Sequence, residues 1–579
     1  MKKLFLILAI SCTSNAYAAG DVNLAMVNQQ QAVQEQQIIN SQVKANGEDV
    51  FLQRKPAVTM PTTRFSQLHE QPCFFIKQVV LKAPTPKLVW DFGFVLDELQ
   101  YGKDKVVGQC IGAQGLQLVL SKAQSALIDK GYLTSRIVAE SQDLTTGVLT
   151  LTVVPGKVLH IYRDKLTTDS VNLHNAMVPK AGDIFVVKDV EKSLENLRLP
   201  NSSTANVAIT PPHTPITQLD NRFSYSDLVV SKTLDKKFNY RLSIDDAGNA
   251  STGKFQGTVG LQINEPLLSN DVLNVSYLHS IDPWNHTQLP AGNHNLYIHY
   301  QYPFKSWLLE SSYNDYNYDQ TLAGLSYDPV YRGESKRVQV KLNRELMRRS
   351  NSKLTGSIAV GAQSSNNYID DLEILVQQRK TANYQLGLSY EKYFQNSRRL
   401  NLAMVAEKGM GGLGAKPIPE TYFSDVAVHP TIVSMNADYY WPFTLNHQAL
   451  SYRTNVSAQY SPDVLSAQDR FSIGSRYTVR GFDGESMLSG EKGLTLQQEL
   501  GWQLPKLPLA NQLYVGIDQG WVSGDSTQYL AGKSLIGSVL GLRLFGQHFT
   551  LDGFIGKPLS APKGISKDSN AGFQLSINY

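Results

Sequence analysis

From Phe238 to the last residue, Tyr579, apolar and polar side chains alternate with period two in segment after segment. Phe255, Gly257, Val259, Leu261 and Ile263 are separated by polar or small residues. Val338, Val340 and Leu342 alternate with Gln339, Lys341 and Asn343, and Phe573, Leu575, Ile577 and Tyr579 carry the pattern to the end. A strand points successive side chains to opposite faces, so each segment offers one apolar and one polar face. Segments begin near Phe238, Phe255, Val272, Asn295, Trp307, Glu334, Lys353, Gln377, Leu400, Thr431, Ser451, Leu494, Asn511, Leu535, Phe549 and Ala571, an even number, sixteen. Connections alternate short, as from Pro505 to Ala510, with long, as from Ser461 to Gly493. A soluble antiparallel sandwich is the competing fold, but a two-sheet core pattern is missing. The pattern predicts a transmembrane β-barrel of 16 antiparallel strands, apolar toward lipid and polar toward a wet lumen, with short periplasmic turns and long outer loops.

The N-terminus predicts export. Lys2 and Lys3, the apolar run Leu4 to Ile10 and Ala16-Tyr17-Ala18 form a secretory signal over residues 1–18. A lipoprotein signal acylated at Cys12 competes, but its apolar run is very short and the Ala-x-Ala site is clean. The mature chain then keeps Cys73 and Cys110, and two cysteines of one exported small domain predict a disulfide. The net charge of +4 falls by two with Lys2 and Lys3, which implies no nucleic-acid partner. No further apolar run is long enough for a spanning helix.

Residues 23–45 are rich in glutamine (Gln29 to Gln31, Gln34, Gln36, Gln37) and lack Gly and Pro, so helix is favoured although no apolar stripe could dock it. A disordered polar tract and a polar plug helix standing in the lumen are the two readings. At 1.5 Å rise the helix would span roughly 34 Å. Residues 46–71, with Pro56 and Pro61, read as an extended linker. Two compact α/β units follow, over 72–155 and 156–232. The first has strands Phe74–Leu81, Leu133–Val138 and Val148–Val154, with a helix Leu116–Lys130 stopped by Gly131. The second has strands near 158–162, 205–209 and 223–231 and a helix over 187–197.

Two motifs bear on function. Val479-Arg480-Gly481-Phe482 lies in the long Ser461–Gly493 loop, and Gly516-Ile517-Asp518-Gln519-Gly520 lies within a predicted strand. If the loop enters the lumen, Arg480 can reach Asp518 for a charge-assisted contact, and the glycines leave room for the loop backbone. Together the motifs resemble the signature of the TpsB transporters of two-partner secretion. Cys73-Phe74-Phe75-Ile76, the run Gly131 to Arg136 and the run Gln142 to Leu149 are similar to the POTRA domains of that family. The resemblance covers essentially the whole mature chain and implies an outer-membrane translocator with its barrel over 236–579 and its POTRA domains in the periplasm. It also implies Tyr579 as a C-terminal barrel-assembly signal. The implied partners are a large secreted TpsA-type exoprotein (haemolysin, adhesin or contact-dependent inhibition toxin), outer-membrane lipid and, during biogenesis, the barrel-assembly machinery, with the chain itself a monomer. An outer-membrane protein assembly factor of the same superfamily shares the motifs but typically carries more POTRA domains.

Nothing argues for catalysis, a metal or a cofactor. The Gly532-Lys533-Ser534 triplet lacks the upstream glycine of a phosphate loop and precedes a strand rather than a helix. No His-Glu-x-x-His, Cys-x-x-Cys or Gly-x-Ser-x-Gly occurs.

Overall fold

The computed structural model describes residues 50–51, 64–101, 104–165, 167, 172–281, 292–321, 327–422, 424–504 and 509–579. The signal and plug segments predicted for 1–18 and 23–45 lie outside these residues.

The first α/β unit contains strands β1 (Phe74–Phe75), β2 (Gln78–Lys82), β3 (Cys110–Ile111), β4 (Arg136–Val138) and β5 (Val148–Val154), with helices α1 (Pro86–Asp91), α2 (Phe94–Gln100) and α3 (Ala113–Asp129). Its sheet runs β2-β5-β4, and β1 pairs with β3 in a separate ribbon that carries the Cys73–Cys110 disulfide. The strand read as Phe74–Leu81 therefore breaks in two. The Ile76 N–H donates to Gln109 O and the Lys77 N–H to Gly147 O, so the backbone changes partners there. Alternate residues of β5 (Leu149, Leu151, Val153) are buried against Leu118, Val119 and Leu127 of α3. Gly131 follows α3 at φ +93°, a left-handed conformation that glycine adopts without penalty.

The second unit has the same plan, with sheet order β6 (Gly156–Arg163), β8 (Ser224–Leu234), β7 (Ser203–Thr210). Its helices are α4 (Leu173–Ala176) and α5 (Val187–Leu197), and Val190, Leu194 and Leu197 meet Leu228 and Val230 of the central strand. Residues Leu133–Ser135, read as strand, are spent on the joint between the units. There Thr134 O accepts from Ser224 Oγ at 2.6 Å and Ser135 Oγ accepts from the Gly156 N–H at 2.9 Å.

The linker reading over 46–71 needs correction at both described ends. Phe65 is buried in the first core, and the Glu70 carboxylate accepts from the Gln114 and Gly115 N–H groups at 2.7 Å each, capping α3. The first unit thus begins near Phe65. Val50 is fastened too. Its carbonyl accepts from Arg348 Nη1 (2.9 Å), its N–H donates to Glu195 Oε1 (3.3 Å), and the Phe51 ring packs edge-on against Tyr393. A proline-containing stretch reads as extended from composition, whereas these partners lie 145 and 298 residues away, beyond any local pattern.

The remaining strands are β9 (Phe238–Asp245), β10 (Gln256–Asn264), β11 (Val272–Ser280), β12 (Gly292–Phe304), β13 (Trp307–Thr321), β14 (Val330–Arg349), β15 (Ser352–Ile369), the short β16 (Leu372–Glu373), β17 (Arg379–Tyr393), β18 (Arg399–Met410), β19 (Thr431–Leu445), β20 (Gln448–Tyr460), the short pair β21 (Phe471–Ile473) and β22 (Leu488–Gly490), then β23 (Lys492–Trp502), β24 (Ala510–Ser523), β25 (Ser534–Phe545), β26 (Phe549–Ser560) and β27 (Asn570–Asn578). Apart from the three short pieces, they close a barrel of sixteen antiparallel strands in which the last strand pairs with the first. Closure leaves no free edge, which a sheet spanning a bilayer requires. The alternation has the expected sense. On β24, Val515, Ile517 and Trp521 are exposed on the outer face, while Tyr514 and Asp518 are buried on the inner face.

A polar joint mounts the second α/β unit on the barrel. The Lys232 ammonium is fully buried, 2.5 Å from Glu265 Oε1 and 2.6 Å from Asn270 Oδ1. Asn270 in turn donates to Asn175 Oδ1 (3.0 Å), and Asn196 donates to Lys305 O (2.7 Å). Burial pushes the lysine pKa down, opposed by Glu265.

Candidate functional site: an arginine loop seated on the barrel wall

The chain leaves β20 and re-enters the wall at β23 after a thirty-one-residue excursion, residues 461–491, stiffened by the β21–β22 ribbon. Within it, Ser475 O accepts from the Val479 N–H (2.9 Å), and Thr478 Oγ1 accepts from the N–H groups of Gly474 and Ser475 (3.0 Å each). These bonds make one tight turn. Gly474 at φ +123° and Gly481 at φ +111° bracket it, both in the left-handed region that favours glycine.

Arg480 projects from this turn onto the inner faces of β23 and β24. Its backbone N–H and Nε each donate to Asp518 Oδ2 at 2.8 Å, and Nη2 donates to Oδ1 at 2.9 Å, a bidentate seat. The structure therefore brings together the Arg480 and Asp518 that the sequence motifs paired. It also adds three charged residues that sequence reasoning missed. Arg480 Nη1 donates to Glu499 Oε2 at 2.5 Å, and Glu499 is held from the other side by Arg543, at 2.5 Å and 3.0 Å. Arg543 donates through Nε to Asp552 Oδ2 (3.0 Å), and Tyr514 Oη donates to Asp552 Oδ1 (2.8 Å). Two arginines and three carboxylates thus alternate across four adjacent strands, so no buried charge lacks an opposite. The available signal was parity alone: Glu499, Arg543 and Asp552 occupy inward positions of their strands, as many polar residues do.

Val479 and Phe482, the flanks of the motif, are buried with Ile473, Leu488, Val522 and Leu535 under the loop. The wall beneath is cut for it. A Cβ at Gly516 would lie 2.7 Å from Arg480 Nη2, one at Gly520 2.8 Å from Val479 Cγ2, and one at Gly556 2.7 Å from Gly481 Cα. A Cβ at Gly537 would strike the Arg480 carbonyl. The motif glycines Gly516 and Gly520 therefore belong to a track that crosses β24, β25 and β26, and the loop backbone lies in it. Beside the track opens a polar lumenal cavity of about 930 Å³, lined by Arg241, Arg543, Asp552, Gln574 and Asn578 among others.

Tyr579 stands apart from the loop. It exchanges two backbone hydrogen bonds of 2.9 Å with Tyr240 of the first barrel strand, and its exposed ring lies under Lys236 Nζ at 4.8 Å. Among the described residues no group of three or more His, Cys, Asp or Glu side chains is arranged to hold a metal ion.

Barrel, paired α/β units and a loop locked into the lumen by an arginine define an outer-membrane translocator of the two-partner secretion class, with its POTRA domains in the periplasm. The family model described as haemolysin secretion/activation protein ShlB/FhaC/HecB matches residues 224–544, and that of the ShlB-type POTRA domain matches residues 92–156. The chain belongs to the ShlB/FhaC/HecB family. It is 30% identical over 525 residues to the outer membrane transporter CdiB-2 of Burkholderia pseudomallei, covering 88% of this chain and 87% of that one. It is 23% identical over 561 residues to the hemolysin transporter protein HpmB of Proteus mirabilis, covering 95% and 94%. Among solved structures, CdiB from Acinetobacter baumannii superposes with a TM-score of 0.82 at 32% identity, covering 96% of this chain and 99% of that one.

Proposed function

We propose that the exported chain is captured as an added strand by the POTRA sheets and passes through the lumen once the Arg480 turn has left its seat. The observation that carries this reading is the seat itself. Arg480 leaves Asp518 and Glu499, and Arg543 and Asp552 line a lumenal cavity beside them, so water can take over these bonds as the turn withdraws. At the entrance, β2 and β4 of the first POTRA domain and β6 and β7 of the second run along sheet edges, where an extended peptide can add main-chain hydrogen bonds. Trp90 and Tyr101, 83% and 80% exposed, give the first domain apolar surface for an unfolded cargo. Export runs downhill and folding of the cargo outside prevents its return. The cargo is a large secreted exoprotein, and relatives named CdiB favour a contact-dependent inhibition toxin over a haemolysin or an adhesin. Residues 23–45 act as a removable polar plug, and Tyr579 as the signal that the barrel-assembly machinery reads.

A disulfide trap tests the central step. Val479→Cys with Gly520→Cys places two thiols where a Cβ already approaches the Val479 side chain. With the exoprotein co-expressed, the oxidised pair stops secretion and a reductant restores it. Secretion at the wild-type level by the oxidised, membrane-inserted protein would refute the need for the turn to move.

A further inference from the structure

The barrel closes through its shortest ladder. The seam between β27 and β9 runs over five residue pairs, from Gln574 opposite Asp245 to Asn578 opposite Arg241, extended at the periplasmic end by the Tyr240–Tyr579 bonds. Above Gln574, the outer part of β27 pairs with β26 alone. Phe573 has no strand partner on the seam side, and its N–H donates instead to Asp246 Oδ1 at 2.9 Å. The same oxygen accepts from Arg476 Nη2 at 2.6 Å, and the Asp246 carbonyl accepts from that nitrogen at 3.0 Å. One carboxylate on the β9–β10 turn thus holds the last strand and the lumenal loop together.

Three further observations make this contact part of a built arrangement. A Cβ at Gly572 of β27 would lie 2.5 Å from Phe554 Cζ and 2.6 Å from Arg476 Nη2, so the last strand carries a glycine where the Phe554 ring and the arginine cross it. The Arg476 guanidinium also lies over the Phe554 ring of β26 at 5.1 Å. A second tie joins the same turn to the loop, from the Ala250 N–H to Glu485 Oε1 at 2.8 Å. Arg476 and Arg480 belong to one tight turn, linked by the Ser475–Val479 bond. A stiff unit with glycine pivots at both ends therefore presents one guanidinium to the wall at Asp518 and the other to the seam at Asp246.

We propose that Arg476 is a positioning residue that couples the lumenal loop to the closing seam, so that loop and outer seam release as one. When the turn leaves the wall, Arg476 is drawn off Asp246, the bridge to Phe573 loses its charged partner and the outer end of β27 is free to part from the first hairpin. The barrel is then closed by its short periplasmic ladder alone, and its girth at the outer face can adapt to the chain passing through. The device ties the opening of the pore to the displacement that clears it.

Hydrogen–deuterium exchange on the full-length protein in detergent micelles tests the coupling. Arg476→Ala speeds exchange roughly tenfold or more in 474–486, in 245–250 and in 570–574 together, while 238–242 and 575–579 keep their wild-type rates. Gly572→Ala, which leaves loop and carboxylate unchanged but crowds Arg476 and the Phe554 ring beneath it, gives the same pattern. Acceleration of the loop with 570–574 at the wild-type rate, or of the seam with the loop unchanged, overturns the proposal. A purely structural arginine would lower the melting temperature without this segmental pattern. Should either variant loosen the whole barrel, the wild-type protein decides. The amides of Arg480 and Phe573 then show protection within roughly threefold of one another, and a wider gap overturns the coupling.

Discussion

Two buried charged clusters hold this molecule together, and they are built differently. At the loop, Arg480, Glu499, Arg543 and Asp552 meet side chain to side chain beside a lumenal cavity, and the Arg480 N–H adds one backbone bond to the enclosed Asp518. At the joint between the second POTRA domain and the barrel, Lys232 and Arg348 are wholly enclosed, and backbone groups of Val50, Ala176, Ser269 and Lys305 complete the bonding. Opening the first cluster exposes partly accessible side chains to the lumen, where water can replace their partners. Opening the second would strand carbonyls and amides in a dry interface, at roughly 1–3 kcal/mol for each group left unpaired. This difference supports the proposed displacement of the loop, although both clusters would count as buried ion pairs.

The comparison can be broken most directly at Arg480. Arg480→Ala leaves the buried Asp518 without its cation and Glu499 with Arg543 alone, a loss of about 3–5 kcal/mol for a buried pair, and a misplaced turn obstructs the pore. Secretion of the exoprotein falls roughly tenfold or more at equal outer-membrane abundance, while heat-modifiable migration of the folded barrel persists. Lys232→Met should do the opposite. It takes the cation from the buried Glu265 and the donor from Asn270 Oδ1 and costs about 3–5 kcal/mol, read as a lower melting temperature and faster proteolysis between POTRA domain and barrel, with the loop's exchange rates unchanged. Equal effects of both variants on loop exchange would end the distinction.

Within the first POTRA domain the disulfide supplies a third measure. Cys73 and Cys110 are separated by 37 residues, and opening that loop costs about 3–4 kcal/mol in the chain-entropy model. Cys73→Ser with Cys110→Ser should unfold that domain at lower denaturant while the barrel transition stays in place.

The smallest effect concerns acidity in the second POTRA domain. Burial works against the charge of Asp227, yet bonds from His213 and His160 outweigh it and hold its carboxyl below the usual aspartate range. A depressed folded pKa stabilises at pH above the unfolded value near 3.9, and the benefit is lost as pH falls through the folded pKa. Asp227→Asn should lower stability at pH 7 by about 1–3 kcal/mol, with the two proteins converging below about pH 4. Parallel pH curves would contradict the charged role.

Much of the barrel was legible because a two-residue period survives any tertiary context. Every predicted strand start lies within a few residues of an observed one, since lipid on one side and water on the other impose the pattern locally. The pairing of Arg480 with Asp518 was legible because Gly481 follows the arginine and Gly516 and Gly520 bracket the aspartate. Glu499, Arg543 and the Arg476–Asp246 contact were not, because an inward polar residue looks the same in sequence whether it faces water or a partner two strands away. The linker reading failed for the same reason at Val50 and Phe65, where fixation comes from residues remote in the chain.

The sequence by itself determined the number and sense of the barrel strands, the two α/β units and the motif that places the chain in its family. These follow from hydrophobic period, turn residues and short-range spacing. Only the tertiary structure decided which carboxylates Arg480 shares, that the loop's second arginine meets the carboxylate that holds the last strand, and that Val50 and Phe51 are pinned against the barrel. Those contacts join residues 19 to 298 positions apart, and closing such loops is governed by the folded geometry rather than by any local propensity.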